Sequence, residues 1–211
     1  SEIILENAQD NPVILKYFEV VKKGILRLKK ITSTMLQYGA ETDILHREST
    51  NINELLDDIQ FMTQGECKKR NINLTKELGE INNICIDESR INQAFINIIL
   101  NAFEAIEKNG SVEIKTKSGT FKNQDGHNVT GINIKIKDSG GGIKKDDIER
   151  IFDPFYTTKY KNAGLGLSIV LKTIKDHNGL ITMETEEETE EEKGAVFSMW
   201  LPNKTDPPPT K

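Results

Sequence analysis

The sequence contains no hydrophobic run of the roughly 20 residues that a membrane-spanning helix needs. The longest apolar stretch, 94–106, is interrupted by Asn97, Asn101 and Glu104. The first residues, Ser-Glu-Ile-Ile-Leu-Glu, also lack the pattern of a signal peptide. We therefore expect a soluble, cytoplasmic chain without membrane contact. Because it begins with Ser1 rather than Met, we expect it to be part of a longer protein, which can itself be membrane-anchored.

Cysteine is scarce as well, and positive charge is not in excess. Cys67 and Cys85 have no neighbouring metal ligands, so two buried thiols in a reducing cytoplasm are favoured over the alternative of a single disulfide. The formal charge is −5 and no basic cluster is interleaved with aromatic residues, which argues against a nucleic-acid binder. With 36% hydrophobic and 29% charged residues, the composition is that of a globular protein.

Hydrophobic periodicity predicts the organisation of the chain. Apolar residues recur mostly at steps of three and four over 15–38, which predicts a long amphipathic helix that needs a partner for its apolar side. A polar linker, 40–51, follows. Further helices are predicted at 53–67, 88–107, 146–151 and 165–177, and strands at 71–76, 83–86, 111–117, 131–137, 179–185 and 195–201.

The order of these elements predicts an α+β fold. We expect a two-layer α/β sandwich in which one mixed sheet is covered by helices on one face, preceded by a long helix. The chain is divided into a partial helical segment with its linker, 1–45, a main domain, 46–203, and a disordered tail, 204–211. The acidic run 186–192 is interpreted as a solvated hairpin loop rather than a metal site.

Polar residues form a stripe on the predicted helix 88–107. Arg90, Asn97, Asn101 and Glu104 are seven, four and three residues apart and so share one side of the helix. Asn is a poor helix former, an amide oxygen suits Mg²⁺, and an amide nitrogen can donate to phosphate. Taken alone, the stripe is better explained as a solvated surface.

A glycine-rich motif follows a predicted strand. Asp138 ends the strand, and the glycines after it, including Gly140 and Gly142, let the backbone approach a ligand closely. The Asp138 carboxylate can accept a hydrogen bond from an exocyclic amine such as that of adenine. The alternative is a tight strand-to-helix turn with a capping Asp.

A second glycine motif opens the predicted helix 165–177. The backbone N–H groups at the helix start marked by Gly164 and Gly166, together with the helix dipole, form an anion site. Just upstream, Thr158 and Lys159 offer a hydroxyl and a cation to polyphosphate, in an irregular stretch typical of a mobile lid. The spacing is not that of a Walker A loop.

Taken in order, these motifs resemble the ATP-binding domain shared by histidine kinases and gyrase-type topoisomerases, a fold of the Bergerat type. The matching segments are 87–102 (N box), 138–142 (G1 box), 151–155 (F box) and 164–167 (G2 box). The F box and the run Gly-Leu-Gly-Leu-Ser-Ile-Val are similar to those of sensor histidine kinases, and the Thr-Thr-Lys segment resembles their nitrogen-regulator subtype. Gyrase-type ATPases have a water-activating glutamate where this chain has Asn97, so the resemblance favours phosphoryl transfer over hydrolysis.

The resemblance implies a function and a set of roles. It implies an ATP-dependent protein-histidine kinase that binds ATP or ADP with Mg²⁺, with Asn97 and Lys159 catalytic, Asn101 on the metal and Asp138 on adenine. The full nucleotide-binding set that it implies is Asn97, Asn101, Asp138, Gly140, Gly142, Thr158, Lys159, Gly164, Leu165, Gly166 and Leu167. The implied partners are the histidine-bearing dimerisation helix of the intact kinase, the receiver domain of a response regulator, and a second copy of the chain through the helix 15–38.

Two features depart from the family pattern. Asn162 stands where the family has a glycine, and no His-Glu-x-x-Asn/Thr-Pro-like acceptor box is found around His46, His127 or His177 or before 15–38. We therefore expect nucleotide binding without autophosphorylation by this chain, and a phosphate acceptor on a helix that it lacks. Two alternatives stay open: a non-catalytic nucleotide-binding regulatory module, and a serine protein kinase of the same superfamily.

Overall fold

The computed structural model describes residues 17–18, 21, 24–25, 44–106, 108–122, 128–159, 164–187 and 193–203. The chain divides into two compact units, Ser1–Asp43 and Ile44–Lys211. In the first unit the described residues are helical. The predictions that fall outside the described residues concern the rest of the helix 15–38, His127, Asn162, the acidic residues 188–192 and the tail 204–211.

The described residues of the second unit form seven strands and four helices. The strands are β1 (Glu48–Thr50), β2 (Ile72–Leu78), β3 (Ile84–Ile86), β4 (Gly110–Lys122), β5 (Asn128–Asp138), β6 (Leu180–Glu187) and β7 (Lys193–Pro202). The helices are α1 (Ile52–Arg70), α2 (Glu88–Ile106), α3 (Lys145–Ile148) and α4 (Gly166–Asp176). Among the helices of the described residues, none is both long and apolar enough to cross a bilayer.

Five strands form one mixed sheet in the order β2-β4-β5-β7-β6. β2 and β4 run parallel, and the other neighbours are antiparallel. Side chains alternate between the two faces of a strand, and Ile132, Ile134 and Ile136 of β5 are all buried on the same face. The register places Ile114 of β4 and Phe197 of β7 beside Ile136. The predicted α+β sandwich with a mixed sheet is confirmed.

The helix α2 covers this face because its apolar residues recur at helical spacing. Its buried residues are Ile91, Ala94, Phe95, Ile98, Ile99, Ala102, Phe103 and Ile106, which join the sheet and α1 in one core. Its polar stripe remains partly accessible, with Asn97 and Asn101 half-buried. Burial of the apolar side therefore decides which side of α2 is left for a ligand.

Asp87 begins α2 as its cap. Its Oδ1 accepts hydrogen bonds from the Arg90 N–H at 3.2 Å and the Ser89 hydroxyl at 2.8 Å, and its Oδ2 accepts one from the His46 N–H. His177 is fully buried, and its Nε2 accepts a hydrogen bond from the Asp87 N–H at 2.9 Å. Burial acts to raise the pKa of Asp87, but the hydrogen bonds it receives lower that pKa overall.

The first correction concerns the linker 40–51. It contains β1, which pairs antiparallel with β3. The strand predicted at 83–86 therefore belongs to a separate two-stranded sheet and not to the main one. Even the closest paired positions, Thr50 and Ile84, are 34 residues apart in the chain, so local periodicity does not reveal the pairing.

The second correction concerns element length. β4 and β5 continue past the predicted 111–117 and 131–137 because their antiparallel register runs on through Phe121 and Val129. Phe121 packs on Trp200 with ring centroids 5.3 Å apart, which supports the extension. The helix predicted at 146–151 is reduced to the four residues of α3.

Cys67 and Cys85 are both thiols rather than a disulfide, as predicted, but only Cys67 is partly buried. The prediction that both are buried is wrong for Cys85, whose side chain is exposed. Cys85 is the central residue of β3, and its neighbours Ile84 and Ile86 are the buried ones, so alternation along the strand turns Cys85 outward. Burial raises the pKa of the Cys67 thiol.

Asp87→Ala should destabilise the domain by about 1–2 kcal/mol, because the first turn of α2 loses its cap. Urea denaturation at pH 7, followed by circular dichroism, measures the change. The folded-state pKa of Asp87 is lowered. The contribution of the Asp87 carboxylate to folding stability is therefore complete above its unfolded-state pKa of about 3.9, and it disappears as the pH falls through the folded-state pKa.

Glu88→Ala is the matched control for this substitution. Glu88 is an exposed acidic residue in the same turn, and its removal should change stability by less than about 0.5 kcal/mol. Equal losses in the two variants would show that the cap contributes nothing specific.

Candidate nucleotide-binding site

Asp138 is the last residue of β5 and is only 3% exposed. Its Oδ1 accepts hydrogen bonds from the backbone N–H groups of Gly140 at 2.8 Å and Ala195 at 3.3 Å. Burial raises the pKa of the Asp138 carboxyl against the opposing effects of these two bonds and of the nearby Lys159 ammonium. Both bonds from described residues use Oδ1, so Oδ2 is the oxygen left to accept a hydrogen bond from a ligand.

The turn after Asp138 has no room for side chains at two of its glycines. A Cβ at Gly140 would lie 2.8 Å from the Ala105 Cβ of α2 and equally close to Asp138 Oδ1. Gly142 has a φ of +68°, and a Cβ there would lie 2.7 Å from Thr185 Cγ2. Glycine is therefore needed for the turn to pass between α2 and β6.

The polar side of α2 meets the N-terminus of α4. The Asn97 Nδ2 donates to the Gly166 carbonyl at 3.4 Å, and the Asn97 Oδ1 accepts a hydrogen bond from the Gln93 Nε2 at 3.1 Å. Gly166 is the first residue of α4, whose first-turn N–H groups have no intrahelical acceptors. Those N–H groups and the helix dipole favour an anion beside Asn97.

Asn101 follows Asn97 by one helical turn and is half-buried. Among the described residues, no group of three or more His, Cys, Asp or Glu side chains could hold a metal ion. A divalent cation at Asn101 would therefore need oxygens from a ligand in addition to the amide, as Mg²⁺ commonly has when it binds nucleotides.

Lys159 contacts the same helix. Its Nζ donates to Glu104 Oε2 at 3.0 Å, and the two side chains are 39% and 36% exposed. Glu104 lies one turn beyond Asn101 on α2, so the ion pair holds the predicted lid stretch against the polar stripe. The predicted phosphate ligand Lys159 thus already has a carboxylate partner within the domain.

The start of the lid stretch is anchored elsewhere. The Tyr156 hydroxyl donates to Asp147 Oδ1, and the Arg150 guanidinium lies 4.5 Å from the Tyr156 ring centroid. Phe155 has a φ of +67° and is exposed. Gly164, with a φ of +69°, packs on this backbone, because a Cβ there would lie 2.5 Å from the Phe155 carbonyl carbon.

The remaining predicted residues lie around these contacts. Thr158 is exposed, within a turn in which the Thr157 hydroxyl accepts a hydrogen bond from the Lys159 N–H at 3.0 Å. Leu165 is buried and Leu167 packs against the core, so what they can offer a ligand is their backbone. The described residues thus bring the α2 stripe, the Asp138 turn, Lys159 and the start of α4 together.

Two contributors were missed from the sequence. Thr185 of β6 fixes the glycine turn, because its hydroxyl accepts from the Ile143 N–H at 3.1 Å and donates to the Ile143 carbonyl at 2.9 Å. The two residues are 42 positions apart, and nothing local signals the contact. Gln93 could have been found, since it lies four residues before Asn97 and therefore on the same side of the helix.

Comparisons with known proteins also point to a nucleotide-binding domain. Residues 86–205 match the family model described as "Histidine kinase-, DNA gyrase B-, and HSP90-like ATPase". Sporulation kinase C of Bacillus subtilis (strain 168) is 34% identical over 192 residues, which cover 90% of this chain and 42% of that protein. Sensor histidine kinase ZraS of Salmonella typhimurium is 32% identical over 186 residues, covering 87% of this chain and 37% of that protein. This chain therefore spans about two fifths of the length of these curated relatives.

A solved structure is similar as well. The crystal structure of histidine kinase ThkA in complex with response regulator protein TrrA matches with a TM-score of 0.73 at 29% sequence identity. The match covers 96% of this chain and 55% of that chain.

Glu104→Gln should strengthen the binding of Mg-ATP by up to about fivefold, because Lys159 no longer has to leave a carboxylate to reach a phosphate. Titration calorimetry measures the affinity. Glu66→Gln is the matched control. It removes the same charge from a half-exposed ion pair on α1, in which Glu66 Oε2 lies 3.1 Å from Arg70 Nε, and it should leave the affinity for Mg-ATP unchanged. Unchanged or weaker binding by Glu104→Gln would show that Glu104 does not compete for Lys159.

Proposed function

Since this chain belongs to the histidine kinase-, DNA gyrase B- and HSP90-like ATPase family, we propose that it is the ATP-binding catalytic region of a two-component sensor histidine kinase. In the intact protein it transfers the γ-phosphate of ATP to a histidine. The observation that carries the proposal is the buried carboxylate of Asp138, which two backbone N–H groups hold by one oxygen beside the polar stripe of α2.

The residues present fit a nucleotide. The glycine turn is closely packed at Gly140 and Gly142, whereas a Cβ at Gly141 would meet no heavy atom within 4 Å, so the turn is open there. The free oxygen of Asp138 accepts a hydrogen bond from an exocyclic amine, as adenine offers. At the other end, the Asn97 amide and the first-turn N–H groups of α4 are donors suited to phosphate oxygens.

The catalytic contribution of the chain is positioning and charge neutralisation. Bound ATP supplies the phosphoryl group. Asn101 would hold Mg²⁺ together with phosphate oxygens, Asn97 would donate to phosphate, and Lys159 would exchange Glu104 for a phosphate oxygen. An amide at Asn97 is no base for water, so these residues orient and neutralise phosphates for a nucleophile supplied from outside the domain.

The acceptor histidine is proposed to lie on the dimerisation helix of the intact kinase. His177 is unsuited to this role, because its Nε2 accepts a hydrogen bond from the Asp87 N–H and its Nδ1 lies 2.7 Å from the Thr173 carbonyl oxygen. Burial also lowers the pKa of His177, which favours its neutral form. His46 is exposed but lacks the flanking residues of an acceptor box.

Further partners follow by analogy. ThkA was crystallised with a response regulator protein, and we propose that the receiver domain of such a protein takes the phosphoryl group from the histidine. Residues 1–45 would be part of the dimerisation segment and pair with a second copy, 46–203 would be the catalytic domain, and 204–211 a tail. The catalytic domain would work in the cytoplasm.

The proposal is tested by titration calorimetry with Mg-ATP and Mg-ADP. The unmodified chain should bind both, and Asp138→Asn should weaken binding by about 10- to 100-fold, because the amide presents N–H groups where an amine needs an acceptor. Asp146→Asn, an exposed carboxylate in α3, is the matched control and should bind normally. Absence of binding by the folded, unmodified chain at millimolar nucleotide would contradict the proposal.

Asp138→Asn should not act by unfolding the domain. The folded-state pKa of Asp138 is raised, so its contribution to stability is complete below its unfolded pKa and is lost as the pH rises through the folded pKa. Removing the charge should therefore leave the melting temperature at pH 7 unchanged or raise it, and this difference should shrink in acid. Scanning calorimetry of the two proteins between pH 4 and pH 7 checks the sign.

Asn101→Ala should abolish the magnesium dependence of nucleotide binding, because it removes the amide oxygen proposed to hold the ion. Affinity for ATP is measured with excess Mg²⁺ and with a chelator. The unmodified chain should bind more tightly with Mg²⁺, and the variant should bind equally in the two conditions. Asn133→Ala on β5, on the face away from the buried isoleucines, is the control and should retain the difference.

A further inference from the structure

Asn97 can serve a phosphate in only one of its two amide orientations. The oxygen and nitrogen of an amide are similar in size but opposite in hydrogen bonding. With Nδ2 toward α4, Asn97 donates to the Gly166 carbonyl at 3.4 Å and can donate to an anion at the same helix end. With the amide reversed, Oδ1 would face the Gly166 carbonyl and the anion, and oxygen would repel oxygen.

The neighbouring side chain Gln93 contacts the other end of this amide. Its Nε2 lies 3.1 Å from Asn97 Oδ1 and donates a hydrogen bond to it. The Gly166 carbonyl can only accept, so it selects the orientation in which Nδ2 faces α4, and Gln93 then supplies the donor that Oδ1 meets on the other side. The two residues are one helical turn apart on α2, and the rigid helix therefore keeps them at contact distance.

We propose that Gln93 is a positioning residue for phosphate binding: together with the Gly166 carbonyl, its amide holds Asn97 so that a donor, not an acceptor, faces the N-terminus of α4. The proposal rests on the proposed nucleotide-binding function and assigns the residue that prepares its phosphate end. Gln93 acts through Asn97. It is exposed and lies outside the buried set of α2, so replacing it leaves the core intact.

The test begins with Gln93→Met, which keeps the length of the side chain and removes the donor. Titration calorimetry should show Mg-ATP affinity weakened about three- to tenfold, the loss expected for one hydrogen bond. Adenosine affinity should not change, because adenosine carries no phosphate. Gln60→Met on α1 is the matched control: it removes a Gln that donates to the Leu74 carbonyl at 3.2 Å and should leave both affinities unchanged.

Gln93→Glu tests the orientation itself. The ionised carboxylate is an acceptor only, so it pairs with Asn97 Nδ2 and turns Oδ1 toward α4. Mg-ATP binding should weaken more than in Gln93→Met. Melting temperatures of all variants within about 2 °C of the unmodified chain would show that the domain stays folded, on the scale of a change below about 0.5 kcal/mol.

The decisive comparison uses the Asn97→Ala background. If Gln93 acts through Asn97, Gln93→Met changes Mg-ATP affinity less than twofold there, and the two substitutions are non-additive. The proposal is overturned if Gln93→Met leaves Mg-ATP affinity unaltered in the otherwise unmodified chain, or weakens it equally in the Asn97→Ala background. Either result leaves the nucleotide-binding function standing, since that function is judged by whether the unmodified chain binds Mg-ATP.

Discussion

Burying the Asp138 carboxylate at the end of β5 is unfavourable unless hydrogen bonds stabilise its charged form. Two backbone N–H groups, Gly140 in the following turn and Ala195 on β7, offset part of this cost, although burial still raises the pKa of the carboxyl. Both of these hydrogen bonds depend on a nearby glycine, because a side chain at that position would collide with neighbouring atoms. Gly140 allows the turn to pass Ala105, and a Cβ at Gly194 would collide with the Asp138 carbonyl oxygen. These glycines therefore serve the hydrogen bonds of the carboxylate.

The helix α2 connects this carboxylate to the N-terminus of α4, which is the proposed phosphate end of the site. Its apolar residues fix its rotation on the sheet, and that rotation alone determines which way Asn97, Asn101 and Glu104 point. Each of them is one turn from the next, about 5 Å along the helix axis. A core-packing requirement thus sets the spacing of the amides and the carboxylate along the site, and α4 and Lys159 come to meet them.

Much of this could be predicted from the sequence, and the part that could not has a common physical origin. Patterns within a few residues predict the extent of α2, its cap Asp87 and the alternation in β5. The glycine motifs are also visible locally, because several glycines so close together are uncommon. The pairing of β1 with β3 and the clamp of Thr185 on Ile143 depend on segments that are distant in the chain. The ion pair of Lys159 with Glu104 is of the same kind. Periodicity predicts an element and its buried side, but it does not reveal which distant residue will be the partner in a hydrogen bond or ion pair.

The charges of the site explain why a neutral amide stands at the proposed metal position. Among the described residues of the site, Asp138 and Glu104 carry negative charge and Lys159 carries the positive charge that pairs with one of them. The N-terminus of α4 adds roughly half a positive charge. A nucleoside triphosphate would add several negative charges to a site that is already close to neutral, and their mutual repulsion grows as water is excluded. A divalent cation offsets this repulsion. A carboxylate at position 101 would hold that cation more strongly but would also add a third negative charge beside the phosphates. The Asn101 amide would offer the proposed metal a hard oxygen without adding that charge, and its affinity for the ion would then depend on the nucleotide being present.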